Sequence, residues 1–501
     1  MDFLKGLCWF VGLMGCRASG EVDLVDPGLT DTSSSVTSEA TTAAGTTHGG
    51  YAAGLSIEKI SAYQAMESLL MENGQSLEDG VVPLIEGRDA LVRVFLNPTD
   101  EAPEEVHGVL TITNSSGEFI LNRTKTVRQE STDDKLGSTV NFDVPADYVE
   151  MGMSLDVAIY DADLEGGGGD PETMSWSTDE VVVEWSDTLE ITLIPIQYNA
   201  DGSGRLPDTS EEQLQRYRDV MSAMYPVTEV VFTVADPWPW SRELEASGAG
   251  WERLLSDVSD ARTSSGVSDK TYFYAIFEPD TSLYNFCSWG CTMGLSYVAS
   301  RANDNWARAS IGVGFTGMDA VETMAHEIGH ANGQDHAPCG VSPSDRNYPH
   351  DGGIINVWGY NQVTEELYDP DVKDIMGYCD PVWISDYTYA YLFARARALA
   401  SLASVQGDAG QWPSYVVDGQ GLTQWTAGDV WVRGEPGGRE APVLLRDEHG
   451  ASLGVVTGYV TAHGHVPGGR VVVPPTEGVH DVQVLDTRGI DRPVQLAYPF
   501  R

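Results

Sequence analysis

Apolar and polar positions alternate in short runs between about residues 55 and 186. Examples are Ala90-Leu91-Val92-Arg93-Val94-Phe95-Leu96, Val109-Leu110-Thr111-Ile112, Leu155-Asp156-Val157-Ala158-Ile159 and Val181-Val182-Val183. A period of two belongs to strands with one face in a core. Turn-rich stretches such as Gly166-Gly167-Gly168-Gly169 separate the runs and no amphipathic helix intervenes, so this part reads as an all-β sandwich. The pattern changes near residue 189. Leu189–Ile196, Val227–Ala235, Thr271–Phe277, Gly294–Ala299 and Ala309–Phe315 predict strands. Helices are expected from Ser210 to Tyr225, over Trp251–Ala261, from Asp319, and from Ser385 to about Ser404. Asp319-Ala320-Val321-Glu322 has the spacing of a capping box. Strands alternating with helices predict a mixed α/β domain with a largely parallel sheet. Residues 410–501 return to short β patterns, such as Val430-Trp431-Val432 and Val471-Val472-Val473, and predict a small β domain.

The N-terminus changes this picture. MDFLKGLCWFVGLMGC has one Lys, an apolar run, then small residues and a Cys. The run is too short to span a bilayer and reads as a signal peptide. Leu13-Met14-Gly15-Cys16 resembles the lipobox of bacterial lipoproteins, which implies cleavage before Cys16 and its acylation; the alternative is a plain secretory signal. Arg17 after that Cys implies outer-membrane sorting by the same resemblance. Residues 17–50, rich in Ser, Thr, Gly and Ala, cannot bury a core and read as a flexible tether.

Against 29 Lys and Arg stand 75 Asp and Glu, a net charge of -46. That balance excludes nucleic acid as a partner and any polybasic hold on anionic lipid. Membrane contact is expected through the lipid on Cys16 alone, and the chain is expected to be a monomer. The acidic stretch Asp161, Asp163, Asp170 lacks the spacing of a calcium loop. Cys8 and Cys16 belong to the export segment. The remaining Cys287, Cys291, Cys339 and Cys379 are expected as disulfides, because export leads to an oxidising compartment; they allow three pairings.

The chemistry lies in His326-Glu327-Ile328-Gly329-His330-Ala331-Asn332-Gly333-Gln334-Asp335-His336. His326 and His330, four apart on a helix, project from one face and can reach one ion. Glu327 can reach a water on that ion. Val321, Met324 and Ile328 give the helix an apolar face for docking on the sheet. Gly333 permits a left-handed residue that stops the helix and lets His336 return as third ligand. Three nitrogens leave a fourth position open for water, as catalytic zinc (Zn2+) requires. The bland alternative is a surface helix with unrelated histidines. HExxH alone should arise by chance in roughly 1% of such chains, and the added Gly and His make that alternative rarer.

The HExxHxxGxxH pattern is that of the metzincin clan of zinc peptidases. Asp374-Ile375-Met376-Gly377-Tyr378 resembles the Met-turn that lies beneath the metal in that clan. The resemblance implies that Met376 underlies the site and that Tyr378 ligates zinc at rest and stabilises the oxyanion later. The bland alternatives are a core methionine and a packed tyrosine. It covers about residues 189–405. Trp383-Ile384-Ser385-Asp386-Tyr387, with a sandwich upstream, most resembles the StcE/TagA-type bacterial surface and secreted proteases, which act on mucin-like O-glycosylated proteins. Ala337-Pro338 after the third His differs from the residues that mark the better-known branches. The clan's geometry also implies that Cys339 and Cys379 are neighbours. That favours Cys339–Cys379 with Cys287–Cys291, the latter two being four residues apart; a crossed pairing through Cys339 stays open.

The expected organisation is a lipoprotein signal peptide over 1–15, a tether over 16–52, an immunoglobulin-like β-sandwich over 53–187, a metzincin-like α/β zinc peptidase domain over 188–406 and a C-terminal β domain over 407–501. The expected function is a cell-surface zinc endopeptidase acting on extracellular proteins or glycoproteins, with Glu327 as general base. An extended substrate is expected along the edge strand near Gly294–Ala299. The rival is a non-catalytic adhesin or glycan-binding protein with a structural zinc site. His350 beside Asp351 reads as a solvated loop, and Asp335 as either a group orienting a ligand histidine or a solvated carboxylate. His463 and His465 lack a third partner nearby, so no metal site is expected there.

Overall fold

The computed structural model describes residues 48–77, 82–402 and 409–497. The signal peptide with Cys8, the lipobox with Cys16 and the tether up to residue 47 lie outside them. No helix among the described residues is long and apolar enough to cross a membrane.

The N-terminal part is built from two antiparallel sheets. One runs in the order Gln75–Ser76, Glu67–Glu72, Leu55–Tyr63, Ala90–Pro98, Val140–Val144; the other runs Ser175–Thr178, Ser154–Asp161, Glu105–Asn114, Gly117–Thr126. Alternate side chains, including Val92, Val94, Leu110, Ile112, Val157 and Ile159, meet in one core. Residues 48–52, assigned to the tether on composition, belong here instead. Tyr51 bridges Tyr160, Gly49 N–H donates to the Asp161 carbonyl at 3.2 Å, and Ala52 is fully buried.

The central sheet runs in the order Val230–Val234, Leu189–Tyr198, Tyr272–Phe277, Ala309–Val313, Gly294–Ser296. All pairings are parallel except the last, which is antiparallel. Tyr272–Phe277 is buried at every position, as a strand covered on both faces must be. Tyr272, Tyr274 and Ile276 face helices Glu211–Met224, Met318–Ala331 and Asp386–Leu402. Phe273, Ala275 and Phe277 face helix Trp251–Ser264.

Helix Met318–Ala331 carries the histidines. Its N-cap is Gly317, not Asp319, and no side chain caps it. The chain leaves Ala309–Val313 through a turn that sets Gly317 at φ 142°, a conformation glycine takes without penalty, so Asp319 already lies in the first turn. At the other end Gly333 adopts φ 104°, where a side chain would meet the Ala299 carbonyl.

The C-terminal sheet is antiparallel, ordered Thr423–Val432, Gly410–Val417, Gly469–Val472, Ser452–Ala462, Arg439–Arg446, Asp481–Val484. Its separation from the central domain near residue 406 is incomplete, because Val430, Val432 and Val472 share a core with Phe273 and Ile311. Fully buried Arg470 binds Ser259 at 2.8 Å and Asp260 at 2.8 Å on the central domain's helix, and Ser414 at 2.9 Å on its own sheet. A buried guanidinium left without those partners would be costly, so the two sheets dock in one register.

Disulfides join Cys287 to Cys291 and Cys339 to Cys379. The second closes a separation of 40 residues and the first a separation of four. Replacing both Cys339 and Cys379 by Ser should lower the unfolding free energy by about 3–4 kcal/mol, against about 2 kcal/mol for the Cys287/Cys291 pair. Denaturant titration of both variants under non-reducing conditions measures the difference.

Candidate metal centre

His326 and His330 lie on one face of their helix, and the turn at Gly333 brings His336 back beside them. Their Nε2 atoms converge: His326 to His330 is 3.1 Å and His330 to His336 is 3.1 Å. Backbone carbonyls set the tautomers. A carbonyl can only accept, so His326 Nδ1 donates to Ile375 O at 2.7 Å and His330 Nδ1 to Gln334 O at 2.6 Å. The Nε2 lone pairs are thereby turned inward. Burial pushes the His326 imidazole down to about 4 and those of His330 and His336 well below their ordinary range. All three are neutral and able to donate.

This donor set fits a metal ion. Nitrogens bound to one ion at about 2.1 Å sit roughly 3.4 Å apart around a tetrahedron. Glu327 is 1% exposed, and its Oε2 has no hydrogen-bond partner. Burial lifts its carboxyl to about 8. It faces a cavity of about 140 Å3 lined by Met293, Gly294, Thr323, Tyr378 and others.

The segment after the helix supports the site from below. Met376, 1% exposed, presents Sδ to Gly329, where a Cβ would lie 2.4 Å from that sulfur. Glycine at 329 is therefore what lets the Met-bearing turn pack against the histidine helix. Buried Asp374 accepts from Met376 N at 2.8 Å and Ser385 N at 2.9 Å, tying this turn to the start of helix Asp386–Leu402. The Cys339–Cys379 bridge ties it to the segment after His336. Tyr378 has its ring 5.4 Å from that of His336 and 5.9 Å from that of His326.

Three expectations need correction. His465, set aside for want of partners, lies in the site: one nitrogen from each of His326, His330, His336 and His465 falls within 4.8 Å of the others, and this group could hold a metal ion. Its ring reaches the site on the loop between strands Ser452–Ala462 and Gly469–Val472, with Nδ1 on the Tyr378 hydroxyl and Nε2 2.7 Å from Glu327 Oε1. His350 is not a solvated loop residue but pairs with Asp386 at 2.6 Å. Asp335 holds no ligand histidine; its part-exposed carboxylate pairs with Arg492 at 3.1 Å. His463 stays outside the cluster, buried against Tyr297.

Sequence reading also missed Asp374, Gly294 and Gly329. Gly294 is needed because a Cβ there would sit 2.3 Å from Glu327 Oε1.

A profile of the Peptidase M66 family matches residues 295–378, from the edge strand to Tyr378. No curated protein matches the chain. The match supports a peptidase of a metallopeptidase family, and the buried four-histidine group is consistent with dependence on a metal ion.

His330→Ala removes the nitrogen central to the cluster. Elemental analysis after dialysis should find one divalent metal per chain in the wild type and well under one in the variant, with an unchanged far-ultraviolet dichroism spectrum.

Proposed function

We propose that the chain is a zinc endopeptidase of the metzincin type, hydrolysing peptide bonds of extracellular proteins, glycoproteins included. The observation that carries this reading is the Glu327 carboxylate. It is buried beside His326, has one oxygen unpartnered, and opens on a cavity next to three converged imidazoles. A buried carboxyl group with an unpartnered oxygen is costly to keep without a task.

His326, His330 and His336 would hold the ion. When bound, zinc supplies Lewis-acid polarisation of a water and of the substrate carbonyl. Glu327 takes the proton of the attacking water and returns it to the leaving amine. Tyr378 lines the same cavity, and its hydroxyl, held by His465 Nδ1 in this structure, would donate to the oxyanion of the tetrahedral intermediate once released. Met376 and Gly329 hold the floor of the site and keep the histidine helix in register with Tyr378.

A second reading, a surface adhesin or glycan-binding protein with a structural metal, draws on His465, which brings a fourth nitrogen to the group. Glu327 weighs against it, since a closed structural site has no use for a base.

The proposed setting is the cell surface or outer membrane, with the chain a monomer, anchored through a lipid on Cys16. Cys16→Ser should abolish acylation and move the protein out of the membrane fraction. Metabolic labelling with a fatty acid and fractionation check this; membrane retention without label would refute the anchor.

Glu327→Gln should keep the metal and lose peptidase activity by about 10²–10⁴-fold or more, because the base is gone and the ligands remain. Gly294→Ala should act in the same direction at unchanged metal content, by forcing the Glu327 carboxylate out of place. Turnover of a quenched fluorescent peptide library, read beside metal content, checks both. Undiminished turnover on Glu327→Gln substitution, in a chain that cleaves the peptides, would end the peptidase reading.

A further inference from the structure

The C-terminal sheet places a histidine where a peptidase of this kind needs open space. The four imidazole rings form a nearly regular tetrahedron. Their centroid separations are 4.7, 5.3 and 4.5 Å among His326, His330 and His336, and 5.2, 5.0 and 4.8 Å from these to His465. Four rings around one ion at bond lengths of about 2.1 Å give centroids roughly 5 Å apart. His465 is as regular a member of the set as any helix histidine. It is 3% exposed. Its Nε2 lies 2.7 Å from Glu327 Oε1 and makes no hydrogen bond.

The same loop also covers the substrate edge. Strand Gly294–Ser296 pairs with Ala309–Val313 on one side. On the other, Gly464 N–H donates to Ser296 O at 2.9 Å, Val298 N–H donates to Ala462 O at 3.2 Å, and Tyr297 bridges His463 in antiparallel fashion. Further along, Ala497 and Cys291 exchange both backbone hydrogen bonds, at 2.7 and 3.0 Å. These are main-chain groups through which an extended peptide would add to the edge. The edge expected to take an extended substrate, near Gly294–Ala299, is thus occupied from Ser296 to Val298.

The loop is built to stay in place. Gly464 lets it press against His330, since a Cβ there would lie 3.0 Å from the ring. Gln495 N–H donates to the His465 carbonyl at 2.8 Å, and Arg492 pairs with Asp335. Arg470 fixes the sheet behind it on the central domain.

We propose that His465 is a fourth protein ligand of the metal, and that the loop carrying it makes the intact chain a latent peptidase. The ligand fills the position a water would occupy, while residues 462–464 hold the edge strand that would bind substrate. Activity requires the loop to leave. This rests on the peptidase reading above for its second half; the ligand assignment stands independently of it.

The test uses the full chain and two variants, His465→Ala and His465→Gln, with thermal unfolding as the folding control. Cobalt(II) is loaded in place of zinc for visible spectroscopy, and release of zinc to a chelator is timed. In the wild type, cobalt should show the intense bands of a four-coordinate site, and zinc should leave slowly. Both variants should change the cobalt spectrum, release zinc at least about ten times faster, and cleave the quenched peptides at least about ten times faster. An unchanged spectrum and release rate would overturn the ligand assignment. If activity instead falls with the spectrum unchanged, His465 is a catalytic group and the proposal is wrong. Faster zinc release from both variants, with cleavage no faster than that of an active wild type, would retain the ligand and overturn latency; faster zinc release with no cleavage by any of the three chains marks failure of the peptidase reading itself.

Discussion

Imidazole nitrogens 3.1 Å apart in a buried pocket set the terms for everything around them. Lone pairs at that distance repel, and low dielectric leaves the repulsion unscreened. Protonation would not relieve it, because burial drives all the rings toward the neutral form. A cation at the centre converts the repulsion into coordination. The carbonyls of Ile375 and Gln334 and the rigidity of the elements that carry them hold the geometry.

That rigidity comes from layers. The parallel sheet is buried on both faces, so the histidine helix docks on one side while helix Trp251–Ser264 and the C-terminal sheet seal the other. Glycines let the close approaches happen: Gly329 over Met376, Gly294 under Glu327, and Gly464 against His330. Each sits where a methyl group would displace a side chain of the centre, so backbone packing and side-chain placement are one constraint.

How much of this was legible in the sequence follows from how local each signal is. The spacing of His326, Glu327, His330, Gly333 and His336 is set within one helix and one turn, so pattern alone found residues that the fold brings together. The strand and helix order of the central domain was readable because period and turn residues reinforce each other; the boundaries drifted by a few residues, as at Val230–Val234 and Gly294–Ser296. His465 was not readable. Its partners come from the histidine helix and from Tyr378, far upstream, and they meet only because Arg470 and a shared apolar core dock one sheet on another. The one hint was a histidine pair beside Pro467-Gly468-Gly469, a hairpin tip in an otherwise regular β pattern. Asp374 was equally hidden, because a buried carboxylate tying two turns together has no sequence period.

The bridge between Cys339 and Cys379 joins the segment after His336 to the one bearing Met376 and Tyr378. Thiols persist in the cytosol, where such a bridge does not form. Covalent closure of the floor beneath the histidines would therefore wait on an oxidising environment, and until then the two segments would be held to each other by packing and hydrogen bonds alone.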